Sequence, residues 1–235
     1  FLDNQLKGAG MDEYLRLLPA AVHIFTLSGD ISGAIRLRSE FTSTIATSMW
    51  DQYNHGDYDE AMTTAEGLLN IHFENSEALY VKALCLTRFD EYERAEKILS
   101  QLLTDDPENI ARYYYALGRI QERKGNFEDA IELFDVAILK KNRYLSPYRE
   151  MAQCYIHLGQ LEKAKTSIDA AKRIDDSNVF IILLEAFLLQ KQGKAAQSLE
   201  LLSDESLLYQ NAAQVYFRRG RAYDQLGEKE EAKRC

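Results

Sequence analysis

Arg112, Tyr115, Arg119 and Arg123 stand three, four and four residues apart, a spacing that sets three guanidinium groups and a phenol along one stripe of a helix. A guanidinium presents a planar fork of donors that matches a carboxylate, and aromatic rings add buried contact area. The chemistry such a stripe offers is recognition of acidic groups beside aliphatic or aromatic anchors. Trp50 with Tyr53, and Leu183 with Phe187, repeat the helical spacing. A plainer assignment competes: these arginines pair with neighbours such as Glu77, Glu122 or Glu150 and only solubilise a helix. The sequence leaves both open.

Catalytic chemistry finds no support. There is no GxxxxGK loop followed by Ser or Thr, no GxGxxG after a strand, no HExxH and no GxSxG. His23, His55, His72 and His157 are dispersed, without a metal-ligand partner at helical spacing. Cys85 and Cys154 each follow a small residue, Ala83 or Ala152, by two positions, a slot that asks for a small apolar side chain. Cys154 with His157 is the one pairing that could make a thiol reactive. The acid pairs Glu128-Asp129 and Glu230-Glu231 open helices, where they oppose the helix dipole in solvent. No enzyme activity, cofactor or metal is expected.

The elements that would carry the stripe are helices. With only 12 glycines and 3 prolines in 235 residues, the chain lacks the punctuation of a turn-rich β fold, and its 46% hydrophobic content is too high for disorder. The 28 basic and 37 acidic residues leave a net charge of −9, which argues against nucleic acid as a partner. The longest apolar run, Val179 to Leu189, contains Glu185 and is far too short to cross a bilayer. Three cysteines without a CxxC pair suit a reducing compartment, so a cytoplasmic location is expected. The start on Phe1 and the stop at Cys235 inside a helical pattern suggest a piece of a longer protein.

A period runs through the chain. Gly125, Gly159, Gly193 and Gly227 are 34 residues apart, and Gly56 and Asp90 extend the series backward with one extra residue before Gly125. Five positions after each turn comes a small residue: Ala61, Ala95, Ala130, Ala164, Ser198, Ala232. Each unit therefore reads as a helix ending on a left-handed cap, a short turn, and a second helix opening on acidic residues. Gly118, Ala152, Ala186 and Gly220 are expected where the small residues of the second helix approach. Phe127, Leu161, Phe134, Ile168 and Leu202 are expected between pairs. One such hairpin cannot bury its own apolar face, so neighbours must stack.

These residues, with the Leu117-Gly118 step, Tyr155, Phe134, Ala137 and Pro107, resemble the tetratricopeptide repeat (TPR). The resemblance covers Thr42 to Cys235, with units starting near residues 42, 76, 111, 145, 179 and 213, the last truncated. It departs from the pattern at Ser198, Asn142 and Asp176. Residues 1–41 read as a linker and a degenerate helical hairpin, with Gly29 at its turn, Ala34 five later and Pro19 inside its first helix. The resemblance implies an all-α, right-handed superhelical solenoid of antiparallel helix pairs, whose first helices line a concave face through positions 2, 5, 9, 12 and 13. On this chain that face holds Trp50, Tyr53, Tyr80, Leu84, Arg88, Arg112, Tyr115, Arg119, Arg123, Arg149, Gln153 and His157. Further along it holds Leu183, Phe187, Lys191, Phe217 and Arg221. The Lys/Asn clamp the family uses for chaperone C-termini is missing, since Tyr115, Arg119 and Arg149 stand at those positions.

The resemblance thus implies a non-enzymatic interaction scaffold with a protein or peptide partner carrying acidic and apolar or aromatic residues. Neither nucleic acid nor membrane is expected to bind. Self-association through open terminal faces is a further expectation. The alternative is a sensor segment of a larger STAND-type NTPase or other signalling protein, suggested by the stretch AAVHIFTLSGDISGAIRL.

Overall fold

The computed structural model describes Leu17 and residues 20–24, 26–72, 74–141 and 143–235. The helices are α1 (Ile31–His55), α2 (Tyr58–Ile71), α3 (Ser76–Arg88), α4 (Tyr92–Asp105), α5 (Ile110–Lys124) and α6 (Phe127–Lys140). They continue with α7 (Leu145–His157), α8 (Leu161–Lys172), α9 (Val179–Lys191), α10 (Ala195–Leu201), α11 (Ser206–Leu226) and α12 (Lys229–Arg234), with a 3-10 turn at Pro107–Asn109. Among the described residues there is no strand, and no helix is long and apolar enough to cross a membrane. The chain divides into two compact units, Phe1–Asn109 and Ile110–Cys235.

Each turn of the period closes the same way. Gly56, Gly125, Gly159, Gly193 and Gly227 hold φ between 71° and 94°, a region that costs a residue with a Cβ. Asp90, the non-glycine member of the series, takes φ 60°. Behind the turn glycine the next amide reaches back to the helix: Asn126 N donates to Gln121 O at 2.9 Å and Gln160 N to Tyr155 O at 2.8 Å. This back-bond satisfies carbonyls the helix end would leave unpaired.

In the second unit, α5 packs on α6, α7 on α8 and α9 on α10, while α5 meets α7, α7 meets α9 and α9 meets α11. The first helices of successive repeats thus lie side by side as one layer. The small residues Ala130, Ala152, Ala164, Ala186 and Ser198 are fully buried, as are Phe134 and Leu202. One contact differs from the expected small-on-small approach. The atoms nearest to a Cβ built on Gly118 belong to the Phe134 ring, at 2.5 and 2.7 Å. The glycine makes room for the ring of the facing helix rather than for Ala130.

In the first unit, Asp30 caps α1 by accepting from Gly33 N at 2.8 Å. Where a hairpin helix and a separate first repeat helix are expected, α1 runs 25 residues without a break through Phe41 and Thr42. Phe1 to Asp12 and Pro19, read from sequence as a linker and a helix interruption, lie outside the described residues. Helix α11 shows the opposite case: Asn211, at φ −160°, interrupts it, and Asn211 Oδ1 accepts from Gln214 N at 3.3 Å to cap the helix that follows.

Gly118→Ala should lower stability by about 1–3 kcal/mol, since the fully buried Phe134 ring would have to shift to admit the methyl group. Gly125→Ala, with open space but positive φ, should cost about 1–2 kcal/mol. Urea midpoints measure both; a Gly118→Ala midpoint equal to the parent's would remove the ring-packing explanation.

Candidate functional site

Within the second unit, α5, α7, α9 and α11 enclose a cleft of about 300 Å³ lined by Arg119, Glu122, Arg149, Glu150, Gln153, Phe180, Leu183, Leu184, Gln214 and Arg218. Of the residues expected on the inner face, Arg119, Arg149, Gln153 and Leu183 meet here. Glu150, Leu184 and Arg218 each stand one position after the fifth of their units, so they escaped a pattern built on that position. Phe180 and Gln214 hold position 2 and Glu122 position 12, so the repeat pattern itself contained them. On each helix the lining follows the spacing of a single face, as with Phe180, Leu183 and Leu184.

The centre of the cleft's chemistry is Glu150, only 4% exposed. Its Oε1 accepts from Arg149 Nη2 at 2.5 Å, Arg119 Nη1 at 3.1 Å and the Tyr115 hydroxyl at 3.3 Å. Arg119 also donates to the Tyr115 oxygen at 3.3 Å. Burial raises the Tyr115 pKa, with Glu150 adding to it. Burial works against the charge on Arg119, yet Glu150, Tyr115 and Glu122 outweigh it and hold that guanidinium above its ordinary range. A carboxylate removed from water needs this many donors to remain there.

Glu122 is held differently. Its Oε2 lies 3.0 Å from Arg119 Nε, but that nitrogen makes no aligned hydrogen bond. Burial and the nearby Glu150 charge push the Glu122 pKa up to about 7, against the opposing pull of Arg119, Arg123 and Arg149. The arginine stripe is therefore partly the plainer of the two sequence alternatives. Arg119 and Arg149 are engaged by the protein's own acids, Glu122 and Glu150.

The remaining expected residues have other placements. Tyr115 packs against Phe134 and Tyr144, with ring centroids 5.8 and 5.4 Å away. Arg112 lies over Tyr113 and donates to its hydroxyl at 3.2 Å. Exposed His157 stacks on Phe127, 5.0 Å between centroids and 4° between planes. Phe187 supports the guanidinium of Arg218 at 4.0 Å and the Lys191 ammonium at 5.5 Å. Arg123, Phe217 and Arg221 are exposed and outside the cleft lining.

In the first unit, Trp50 makes ring contacts with Tyr53 and Tyr80, each at 6.0 Å, and donates from Nε1 to Glu77 Oε2 at 3.3 Å. Arg88 lies over Tyr58 and Tyr53 and donates to the Tyr53 hydroxyl at 3.4 Å. Tyr80 is buried, and Leu84 is half-buried.

Cys85 and Cys154 are buried and free, and burial pushes both thiols up to about 12. At neutral pH they are protonated and behave as small apolar side chains. No group of three or more His, Cys, Asp or Glu among the described residues could hold a metal.

The sequence profile of the tetratricopeptide repeat matches residues 53–120 and 123–180, and a second profile of the same description matches residues 213–235. DnaJ homolog subfamily C member 7 of Mus musculus is 25% identical over 158 residues, an alignment covering 46% of this chain and 32% of that protein. TPR repeat-containing protein MJ1428 of Methanocaldococcus jannaschii is 26% identical over 165 residues, covering 67% of this chain and 27% of that protein. The chain thus spans 32% and 27% of the length of these curated relatives. A crystal structure of a tetratricopeptide repeat protein from Parabacteroides merdae superposes with a TM-score of 0.64 at 19% identity, covering 93% of this chain and 89% of that one. At that identity the likeness is one of fold.

An acid whose pKa rises on folding is held protonated, so its contribution is favourable at low pH and is lost as pH climbs from 4.5 toward 7. Glu122→Gln should therefore match the parent near pH 5 and exceed its stability near pH 8 by about 1–3 kcal/mol. Denaturant unfolding at the two pH values decides it. An equal effect of the substitution at both would show that Glu122 is not buried against Glu150.

Proposed function

The chain belongs to the tetratricopeptide repeat family, and on that premise we propose that it is a non-enzymatic scaffold that seats a partner segment in the cleft of its second unit. Tetratricopeptide repeats bind other proteins, and stacked hairpins present surfaces rather than catalytic pockets. The observation that carries the reading is the convergence of Arg119, Arg149, Gln153 and Gln214 over an apolar floor of Leu183 and Leu184, with Phe180 exposed at 42%. Polar groups that converge beside apolar ones in a concave site fix the orientation of what binds there. The segment that fits has an acidic side chain next to an aliphatic or aromatic one.

The Trp50–Tyr53–Tyr80 cluster with Arg88 is a second aromatic and basic patch, on the first unit. Its Trp50 nitrogen and Arg88 are already bonded to Glu77 and Tyr53. We assign the binding role to the second unit, where amide groups of Gln153 and Gln214 line open space.

Selection from a displayed random-peptide library tests this. Recovered peptides should share an Asp or Glu beside Leu, Phe or Tyr, and their affinity for a Phe180→Ser/Gln153→Ala variant should drop about tenfold or more. Peptides without that pattern, or with unchanged affinity for the variant, would remove the cleft from consideration.

A further inference from the structure

Resting on this reading of the cleft, we infer that Arg218, rather than Arg119 or Arg149, receives the partner's acidic side chain, and that the cleft admits one such carboxylate but not two. Arg119 and Arg149 converge on Glu150, and Arg119 also faces Glu122. A ligand carboxylate that drew either guanidinium away would leave Glu150 buried without its counter-charge, a costly state. Arg218 is the cleft cation with no carboxylate partner among the described residues. Burial and the neighbouring Arg221 depress its pKa, as expected for a partly desolvated charge that nothing offsets.

The surrounding contacts hold Arg218 in place. Its guanidinium carbon sits 4.0 Å from the Phe187 ring centroid, a stacked cation–π arrangement. Its backbone carbonyl accepts from Gln190 Nε2 at 2.9 Å, and that same nitrogen donates to Ser198 Oγ at 2.9 Å. Next to it, Arg219 Nε donates to Leu202 O at 2.9 Å, occupying a carbonyl at the end of α10. These bonds dock α11 on α9 and α10, so the fork of Arg218 is preorganised, which spares a ligand the cost of ordering it. Gln214, one turn earlier, adds an amide to the same wall. A second ligand carboxylate would find no further unengaged cation, since Arg119 and Arg149 are held by Glu150. The occupant is thus a segment with a single Asp or Glu beside an aliphatic or aromatic residue, its other flank neutral or basic.

Nuclear magnetic resonance titrations of the full 235-residue chain distinguish this inference from the broader one. The probes are acetyl-Phe-Glu-amide, its glutamine counterpart acetyl-Phe-Gln-amide, and acetyl-Glu-Phe-Glu-amide. The glutamate probe should shift the Arg218 Nε–H signal and bind about tenfold more tightly than the glutamine probe. Arg218→Gln should erase that preference, Arg218→Lys should retain part of it, and Arg123→Gln should leave it intact. The two-glutamate probe should bind no more tightly than the single one. If Arg218→Gln and Arg218→Lys both keep the full preference while Gln153 and Gln214 signals still move, another cation receives the carboxylate and only this inference falls. A tenfold gain from the second glutamate would overturn the one-carboxylate rule. No movement of any cleft signal at about 10 mM probe, where even millimolar binding registers, would overturn the cleft reading as well.

Discussion

One buried carboxylate organises the second unit. Glu150 is nearly sealed from water, and three donors on two helices, Tyr115, Arg119 and Arg149, converge on it. A carboxylate in that position is tolerable only while all of its partners stay. It therefore links α5 to α7 and sets the direction of two guanidinium groups, which it holds as its own counter-charges. The adjacent Glu122 is denied equally good partners, and burial beside Glu150 drives its pKa toward neutrality. What the cleft offers a ligand is decided by what this cluster leaves over.

The left-over chemistry lies on α7, α9 and α11. Leu183 and Leu184 form an apolar floor, Phe180 an exposed ring, Gln153 and Gln214 amides, and Arg218 a cation without an internal acid. Periodic packing beneath makes this layer possible. Small residues at the contacts let antiparallel helices approach, left-handed turns reverse the chain, and first helices line up in register. The repeat supplies a row of neighbouring helix faces on which side chains from four helices converge.

Much of this was legible in the residues. The spacing of the turn glycines and of the small residues following them fixes helix pairs, and the structure has those turns at positive φ, including Asp90 in the place of a glycine. The stripe of Arg112, Tyr115, Arg119 and Arg123 was visible, and so were the acids that could neutralise it. Which arginines were neutralised was not visible, because it depends on side-chain geometry across helices: Glu150 is one residue from Arg149 in sequence but bonds Arg119 from another repeat. Arg218 was passed over for Phe217 and Arg221 because, like Glu150 and Leu184, it stands one position after the fifth of its unit. Gly118 read as a small-on-small contact, whereas the facing ring of Phe134 occupies that space.

A crystal structure of the chain with a library-selected peptide tests the account most directly. The account predicts the peptide between α5, α7, α9 and α11, its acidic side chain on Arg218, and Glu150 still bonded to Arg119 and Arg149. A peptide seated elsewhere, or one whose carboxylate has displaced Glu150 from both arginines, would contradict it.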